Sequence, residues 1–398
     1  MAQHHEVVII GGGNAGVSLA ARLKRYGFRD IALIEPKEHH LYQPLFSHIA
    51  GGRAQVKESV RSQESVTPKG VAWIKDKAVD VDAASNSVTL ASGSTITYGH
   101  LVVCPGLQYN WEAVPGLAEA VHSPYGSSHY EFELAPKLWT LLSSMTSGTV
   151  IFTMPSGPVK CAGASQKPMY LACDYWKEQG VLDNIRVVMV QPYPTVFGVA
   201  EIDSELDRKI AEYGIELRTN SELVAVNPAD RTATIRSTTD NTSEELSYDV
   251  LNAVPPQSAP DWLKATDLPA AGDKYGFVEV DTQTLRHSRF ANIWSLGDAA
   301  GTTNSKAGGA LRKQTKVLAK NLRSARKGEP LSAEYNGYSV CPFTVSRNTV
   351  VFAEFDDHYQ PMPTIPKVPT WKESRFSWWV DRDMFPQVYW HLILKGRA

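Results

Sequence analysis

Residues 6–16 read EVVIIGGGNAG, and this stretch decides the fold. Val7, Val8, Ile9 and Ile10 are all apolar and β-branched, which suits a strand buried on both faces. Gly11, Gly13 and Gly16 then satisfy G-x-G-x-x-G, and the pattern after them is helical from about Ala15 to Tyr26. A second strand, IALIE, closes the unit at Glu35. Strand, glycine turn, helix and strand make one dinucleotide-binding βαβ unit. Gly11 admits the tight turn, Gly13 lets backbone approach a pyrophosphate, and Gly16 lets helix and sheet pack closely. Asn14 and Ala15 stand at the helix N-terminus, where free N–H groups and the positive dipole end meet phosphate. Glu35, 19 residues beyond Gly16, is placed to accept hydrogen bonds from a ribose. A carboxylate there repels a 2′-phosphate, so FAD or NAD is expected rather than NADP.

A second stretch favours FAD. FANIWSLGD (290–298) is an apolar strand ending in Gly297–Asp298, and it resembles the motif of two-dinucleotide flavoproteins in which such an aspartate bonds the ribityl chain. The helix expected from about Lys306 to Arg326 aims its N-terminus at the flavin, and its dipole stabilises an anionic reduced ring. HLVVCPG (100–106) likewise runs a strand into a tight turn at Gly106.

The strand TVIFTM (149–154) opens another α/β unit. A helix near Gln166–Glu178 follows, then the strand IRVVMV (185–190), then a helix over SELDRKIAEY with Ser204 as its N-cap and Gly214 as its stop. No glycine fingerprint follows the first of these strands. The chain reads MPSGPVKCAG (154–163), and Pro155 and Pro158 have no N–H to offer a phosphate. Gln191 stands where a ribose-binding carboxylate is expected. This unit reads as a nucleotide fold whose nucleotide space has been given to Cys161. The expected architecture is α/β: two Rossmann-like three-layer domains and an aromatic-rich C-terminal segment. Residues 1–113 and 255–330 form a discontinuous FAD domain, 114–254 the second domain, and 331–398 the C-terminal region.

The chain of 398 residues has four cysteines, too few for a disulfide-stapled scaffold. Cys173, in MYLACDYW, and Cys104, in LVVCPG, read as small buried hydrophobes. Cys161 and Cys341 lie 180 residues apart, which fits neither a zinc finger nor a C-x-x-C turn, and no metal is expected. Lys160 and Lys167 flank Cys161 just before a helix, and cations and a helix N-terminus both favour a thiolate. Pro342 stiffens the backbone after Cys341. A flavin with two such thiols points to an oxidoreductase doing sulfur redox chemistry. The net charge of −2 gives no pull toward nucleic acid.

These stretches together resemble the sulfide:quinone oxidoreductases, a branch of the two-dinucleotide, disulfide-reductase-like flavoproteins. VVIIGGGNAG, HLYQPLFSHIAGG, PVKCAGASQKPMYL, NAVPPQSAPDWL, NIWSLGDAAG, SKAGGALRKQ and CPFT stand in the family's order, and the match runs through nearly the whole chain. The resemblance implies that Cys161 and Cys341 are the redox pair, joined as a disulfide or through extra sulfur. Hydrosulfide attacks the sulfur of Cys341 and leaves a persulfide there. Cys161 departs as a thiolate beside the flavin, and two electrons pass to FAD and on to membrane quinone. The persulfide sulfur goes to sulfide or polysulfide, sulfite, glutathione or cyanide. The resemblance also sets Gln43, Gly106 and Lys306 near the cofactor. FAD is expected to be non-covalent, because YQPLFSHIAGG has no cysteine to attach it. A two-cysteine mechanism is expected, because HSPYGSSHYEFE has none either.

The last residues are dense in Trp371, Phe376, Trp378, Trp379, Phe385 and Trp390, with Lys372, Arg375, Arg382 and Lys395 between them. Aromatics with basic neighbours suit a membrane interface and a route for quinone. Phe343 and Phe352 are further aromatics expected near the ring. No run reaches the ~18 apolar residues of a membrane span, and the N-terminus lacks a signal-peptide plan. The expectation is a peripheral protein on the cytoplasmic face of a bacterial inner membrane, with homo-oligomerisation left open. Competing readings are an NADH:quinone flavoprotein reductase and a degenerate flavin-binding interaction module.

Overall fold

The computed structural model describes residues 3–365 and 368–398. Gln3–Ile10 runs between Ile31–Ile34 and Thr95–Val103, both parallel to it. Its side chains alternate between two faces. Val7 and Ile9 join an apolar cluster with Leu19, Leu23 and Leu318, whereas Val8 and Ile10 join another with Leu263 and Val278. This explains the unbroken run of β-branched residues: the strand is covered on both sides. Ala72–Ile74 extends the sheet beyond Ile31–Ile34. Antiparallel Ser87–Leu90 and Ala78–Asp82 complete the other side, and Ile293–Ser295 pairs in parallel with the end of Thr95–Val103. Residues far apart in sequence thus build one seven-stranded sheet.

The second sheet has five strands, all parallel, in the order Gly126–Ser127, Val250–Asn252, Gly148–Thr153, Ile185–Val190 and Glu216–Arg218. The architecture is therefore α/β with two Rossmann-like units. One expected helix boundary is corrected. The helix spans Ala200–Tyr213, with Val199 at its N-cap, so Ser204 lies inside it. The reason is Asp203, whose carboxylate accepts from the N–H groups of Phe197 and Gly198 and ties the preceding loop to the first turn. The helix ends at Gly214, at φ +64°, as its sequence predicts.

Two elements complete the chain. Ser339–Thr344 and Val350–Phe355 form an antiparallel hairpin in which Cys341 faces Ala353. A helical segment over 375–393 contains two π-helical turns, Val380–Met384 and Tyr389–Ile393. It returns Tyr389, Trp390 and Leu394 to the cluster beneath the first sheet. Among the described residues no helix is long and apolar enough to cross a membrane.

Candidate active site: a thiol pair beside a dinucleotide cradle

The dinucleotide loop accepts only glycine where it is tightest. A Cβ on Gly11, at φ +105°, would strike the Cys104 carbonyl, and one on Gly16 would strike the Gly11 carbonyl. Gly13 and Gly106 instead face open space, with no atom within 4 Å of a Cβ. The helix Asn14–Arg25 begins with no side-chain cap and no acidic residue in its first turn. Its N–H groups and dipole are thus left for an anion. Glu35 accepts from the N–H of Gly12 at 2.7 Å and of Lys37 at 2.8 Å, which pins the carboxylate while lone pairs remain. Gly297 donates to Gln314 Oε1 at 2.9 Å, and a Cβ there would lie against Leu311 and Ala15. The second motif therefore sits between the first turns of two uncapped helices, Asn14–Arg25 and Gly308–Arg326.

The charges beyond it form a linked set. Burial raises the Asp298 carboxyl, and Lys160 and Lys306 offset this only in part. Burial pulls Lys306 down to about 8, with Asp298 opposing; its Nζ donates to the Ala300 carbonyl at 2.9 Å. Lys160 Nζ donates to Gln43 Oε1 at 2.5 Å and to the Tyr109 hydroxyl at 2.6 Å. These residues fit FAD. A backbone cradle on a helix terminus suits a pyrophosphate, the pinned Glu35 suits a ribose, and Asp298 suits the ribityl chain.

Cys161 and Cys341 lie with their Sγ atoms 3.6 Å apart, both as free thiols. Cys341 is 1 % exposed, while Cys161 is partly accessible. Gly163 permits the approach, because a Cβ there would lie 2.5 Å from Phe343 Cζ and 2.6 Å from Cys341 Sγ. Cys161 adopts φ +47°, ψ +68°, a left-handed geometry that costs a non-glycine residue about 1–2 kcal/mol. A ring of hydrogen bonds holds it there. Its N–H donates to the Lys306 carbonyl at 2.8 Å, which joins the thiol loop to the flavin motif. The Tyr130 hydroxyl lies 2.9 Å from the Lys160 carbonyl and 3.2 Å from that of Cys161. His129 Nε2 donates to the Ala164 carbonyl at 2.8 Å.

The pair is electrostatically unequal. A hydrogen bond from the Cys341 thiol lowers Cys161, burial opposes this, and Lys167 and the Ala164 N–H add to the lowering. Donating that bond raises Cys341, and burial raises it further. Of the two sulfurs, Cys161 is the one on which a thiolate is favoured. Burial works against the charge of Lys167, which is 3 % exposed, but the two sulfurs and Asp381 outweigh it and raise its pKa.

A model of the pyridine nucleotide-disulphide oxidoreductases matches residues 5–321. The mitochondrial sulfide:quinone oxidoreductase of Mus musculus is 34 % identical over 396 residues, covering 99 % of this chain and 87 % of its own length. That of Dictyostelium discoideum is 33 % identical, covering 98 % and 86 %. The chain belongs to the sulfide:quinone oxidoreductase family. The solved sulfide:quinone oxidoreductase of Aquifex aeolicus shares the fold, with a TM-score of 0.82 at 19 % identity, over 100 % of this chain and 92 % of that one. FAD is accordingly the cofactor of the cradle.

The aromatics expected near quinone or membrane separate in this family member. Phe352, Trp378 and Phe385 converge in one cluster with Leu171 and Val350. Phe343 instead lies on the thiol side, edge-on to Phe197 at 4.9 Å. Trp390 packs in the core of the first unit, against His40 and Tyr42. Trp379 is 50 % exposed beside Phe376, which is 70 % exposed.

Several site residues were not foreseen. His40 lies 3.0 Å from the Gly12 carbonyl and 2.5 Å from the Tyr389 hydroxyl, so the C-terminal segment grips the dinucleotide loop. His48 and Asp381 form a buried pair at 3.0 Å. His129 and Tyr130 lie in HSPYGSSHYEFE, which was read only for its lack of cysteine. A histidine beside the pair Gly51–Gly52 was the one signal for His48, and His40 had none. The pairing to the far C-terminus had none.

Proposed function

We propose that this chain oxidises sulfide at the Cys161–Cys341 pair and passes two electrons through FAD to a membrane quinone. The observation that carries this is the 3.6 Å sulfur contact on a loop bonded to the flavin motif at Lys306. A disulfide of about 2.05 Å needs the sulfurs to close by about 1.5 Å, and one bridging sulfur would span about 3.3 Å. Hydrosulfide forms a bond to Cys341 Sγ as the bond to Cys161 breaks, and Cys161 keeps the electron pair. Cys161 is the better leaving group because its thiolate can accept the Cys341 hydrogen bond, with Lys167 and the Ala164 N–H beside it. A low-molecular-weight acceptor (sulfide or polysulfide, sulfite, glutathione or cyanide) then takes the outer sulfur of Cys341 and leaves two thiols. Re-forming their bond releases two electrons, for which bound FAD is the acceptor.

The same reading seats quinone against Phe352, Trp378 and Phe385. It lays the face carrying Phe376, Trp379 and Leu392, with Arg375 and Lys395, on lipid; all five are exposed. Such a surface suits a peripheral protein, here assigned to the cytoplasmic side of a bacterial inner membrane. Residues 1–113 and 255–330 act as the FAD domain, 114–254 as the unit presenting Cys161, and 331–398 as the quinone-facing region. Pro155, Pro158 and Gln191 argue against NADH as the donor. The test is quinone reduction by the FAD-loaded protein with either sulfide or NADH. Sulfide alone should support turnover, and turnover with NADH would contradict the proposal.

A further inference from the structure

Three buried histidines surround the site, and two have both ring nitrogens engaged. His40 meets Gly12 and Tyr389, and His129 meets Ala164 and Asn252. His48 differs. It is 2 % exposed in the helix Leu45–Ala50, and its Nε2 lies 3.0 Å from Asp381 Oδ2. Its Nδ1 is buried and has no hydrogen-bond partner among the described residues. An orphaned buried nitrogen costs about 1–3 kcal/mol, so it invites a ligand. Asp381 sits in the π-helical turn Val380–Met384, an irregularity common at functional positions.

The surroundings say what the ligand is. Trp378 stands edge-on to His48 at 5.4 Å, and the cluster continues through Phe352 and Phe385 at 5.7 Å from each other. We infer that His48, oriented by Asp381, supplies a proton to a quinone oxygen seated against these three rings. This rests on the quinone reading above. Quinone becomes quinol by gaining two electrons and two protons. One proton travels with the electron pair as a hydride equivalent. The other comes from the Nδ1–H of protonated His48, which becomes neutral while its Nε2–H stays on Asp381; solvent then restores it. This is the arrangement in which a carboxylate fixes the ring and the far nitrogen exchanges the proton. The charges that face the pair are Lys167 opposite Asp381, Arg382 on the same segment, Glu58 paired to Arg382 at 2.8 Å, and Arg53 over Trp378 at 5.1 Å.

The test uses FAD-loaded protein, reduced anaerobically with sulfide and then mixed with a short-chain benzoquinone. His48→Gln keeps an N–H for Asp381 but cannot cycle a proton. Its reoxidation by quinone should slow about 100-fold and lose its pH dependence, the range general acid catalysis supplies. Quinone affinity, read by quenching of tryptophan fluorescence, and bleaching by sulfide should both stay native. Asp381→Asn removes the carboxylate that orients the ring, so reoxidation by quinone should slow in that variant too. Native reoxidation in His48→Gln with quinone bound would overturn the proton role. Unchanged quinone affinity in Phe352→Ala and Trp378→Ala would instead overturn the quinone site, and the inference with it.

Discussion

At Cys161 the backbone is strained so that its sulfur can stand 3.6 Å from a second one. Gly163 is the residue that pays for this approach with an absent side chain. Gly163→Ala would press on Phe343 and Cys341 and destabilise the fold by about 1–3 kcal/mol, measured by denaturant midpoint. It should also slow flavin bleaching by sulfide, because the sulfurs must part. Lys167 faces both sulfurs and favours the anionic form of each. Lys167→Met should raise the pH at which the Cys161 thiolate appears, followed by its ultraviolet absorbance, and slow sulfide-driven bleaching about tenfold or more. An unchanged thiolate titration would remove Lys167 from that role. The two cysteines were legible because each lies in a distinctive short motif. His48, His129 and Asp381 were not, because their partners are set by tertiary contacts hundreds of residues apart or by a loop with no periodicity.

At the scale of elements, the opening βαβ unit was plain: a β-branched strand, three glycines and a terminal glutamate agree on one structure. The helix at Ala200 began earlier than its serine suggested, since Asp203 captures the loop before it. The C-terminal segment was least legible. Its π-helical turns break the 3.6-residue period, so sequence spacing did not tell inward Trp378 and Trp390 from outward Trp379. The exposed ring pair makes a prediction. Phe376→Ser with Trp379→Ser should weaken binding to anionic lipid vesicles about tenfold or more, because two large apolar side chains no longer leave water. Bleaching by sulfide in solution should not change. Native vesicle binding in the double variant would show that this face does not meet lipid.

At the scale of the whole molecule, the C-terminal segment clamps the cofactor loop through Tyr389 and His40, and the second unit braces the thiol loop through His129. Burial lowers both His40 and His129 to about 4, against about 6.5 for a free imidazole. Between those values the unfolded chain holds more protons than the folded one. Stability should therefore fall as pH drops from about 6.5 to 4, by roughly 3 kcal/mol for each histidine. Denaturant unfolding at pH 7 and pH 5 checks this, and equal midpoints would contradict it. The fold and the flavin site were legible because dinucleotide binding is written in contiguous motifs. The clamp on the cofactor loop by the C-terminal segment was not, since it depends on a contact between residues 349 apart.

The most direct measurement is anaerobic stopped-flow mixing of the FAD-loaded protein with sulfide, following flavin absorbance. The native protein should bleach, whereas Cys161→Ala and Cys341→Ala should each abolish bleaching. Native-like bleaching in either variant would contradict the thiol pair as the route from sulfide to flavin.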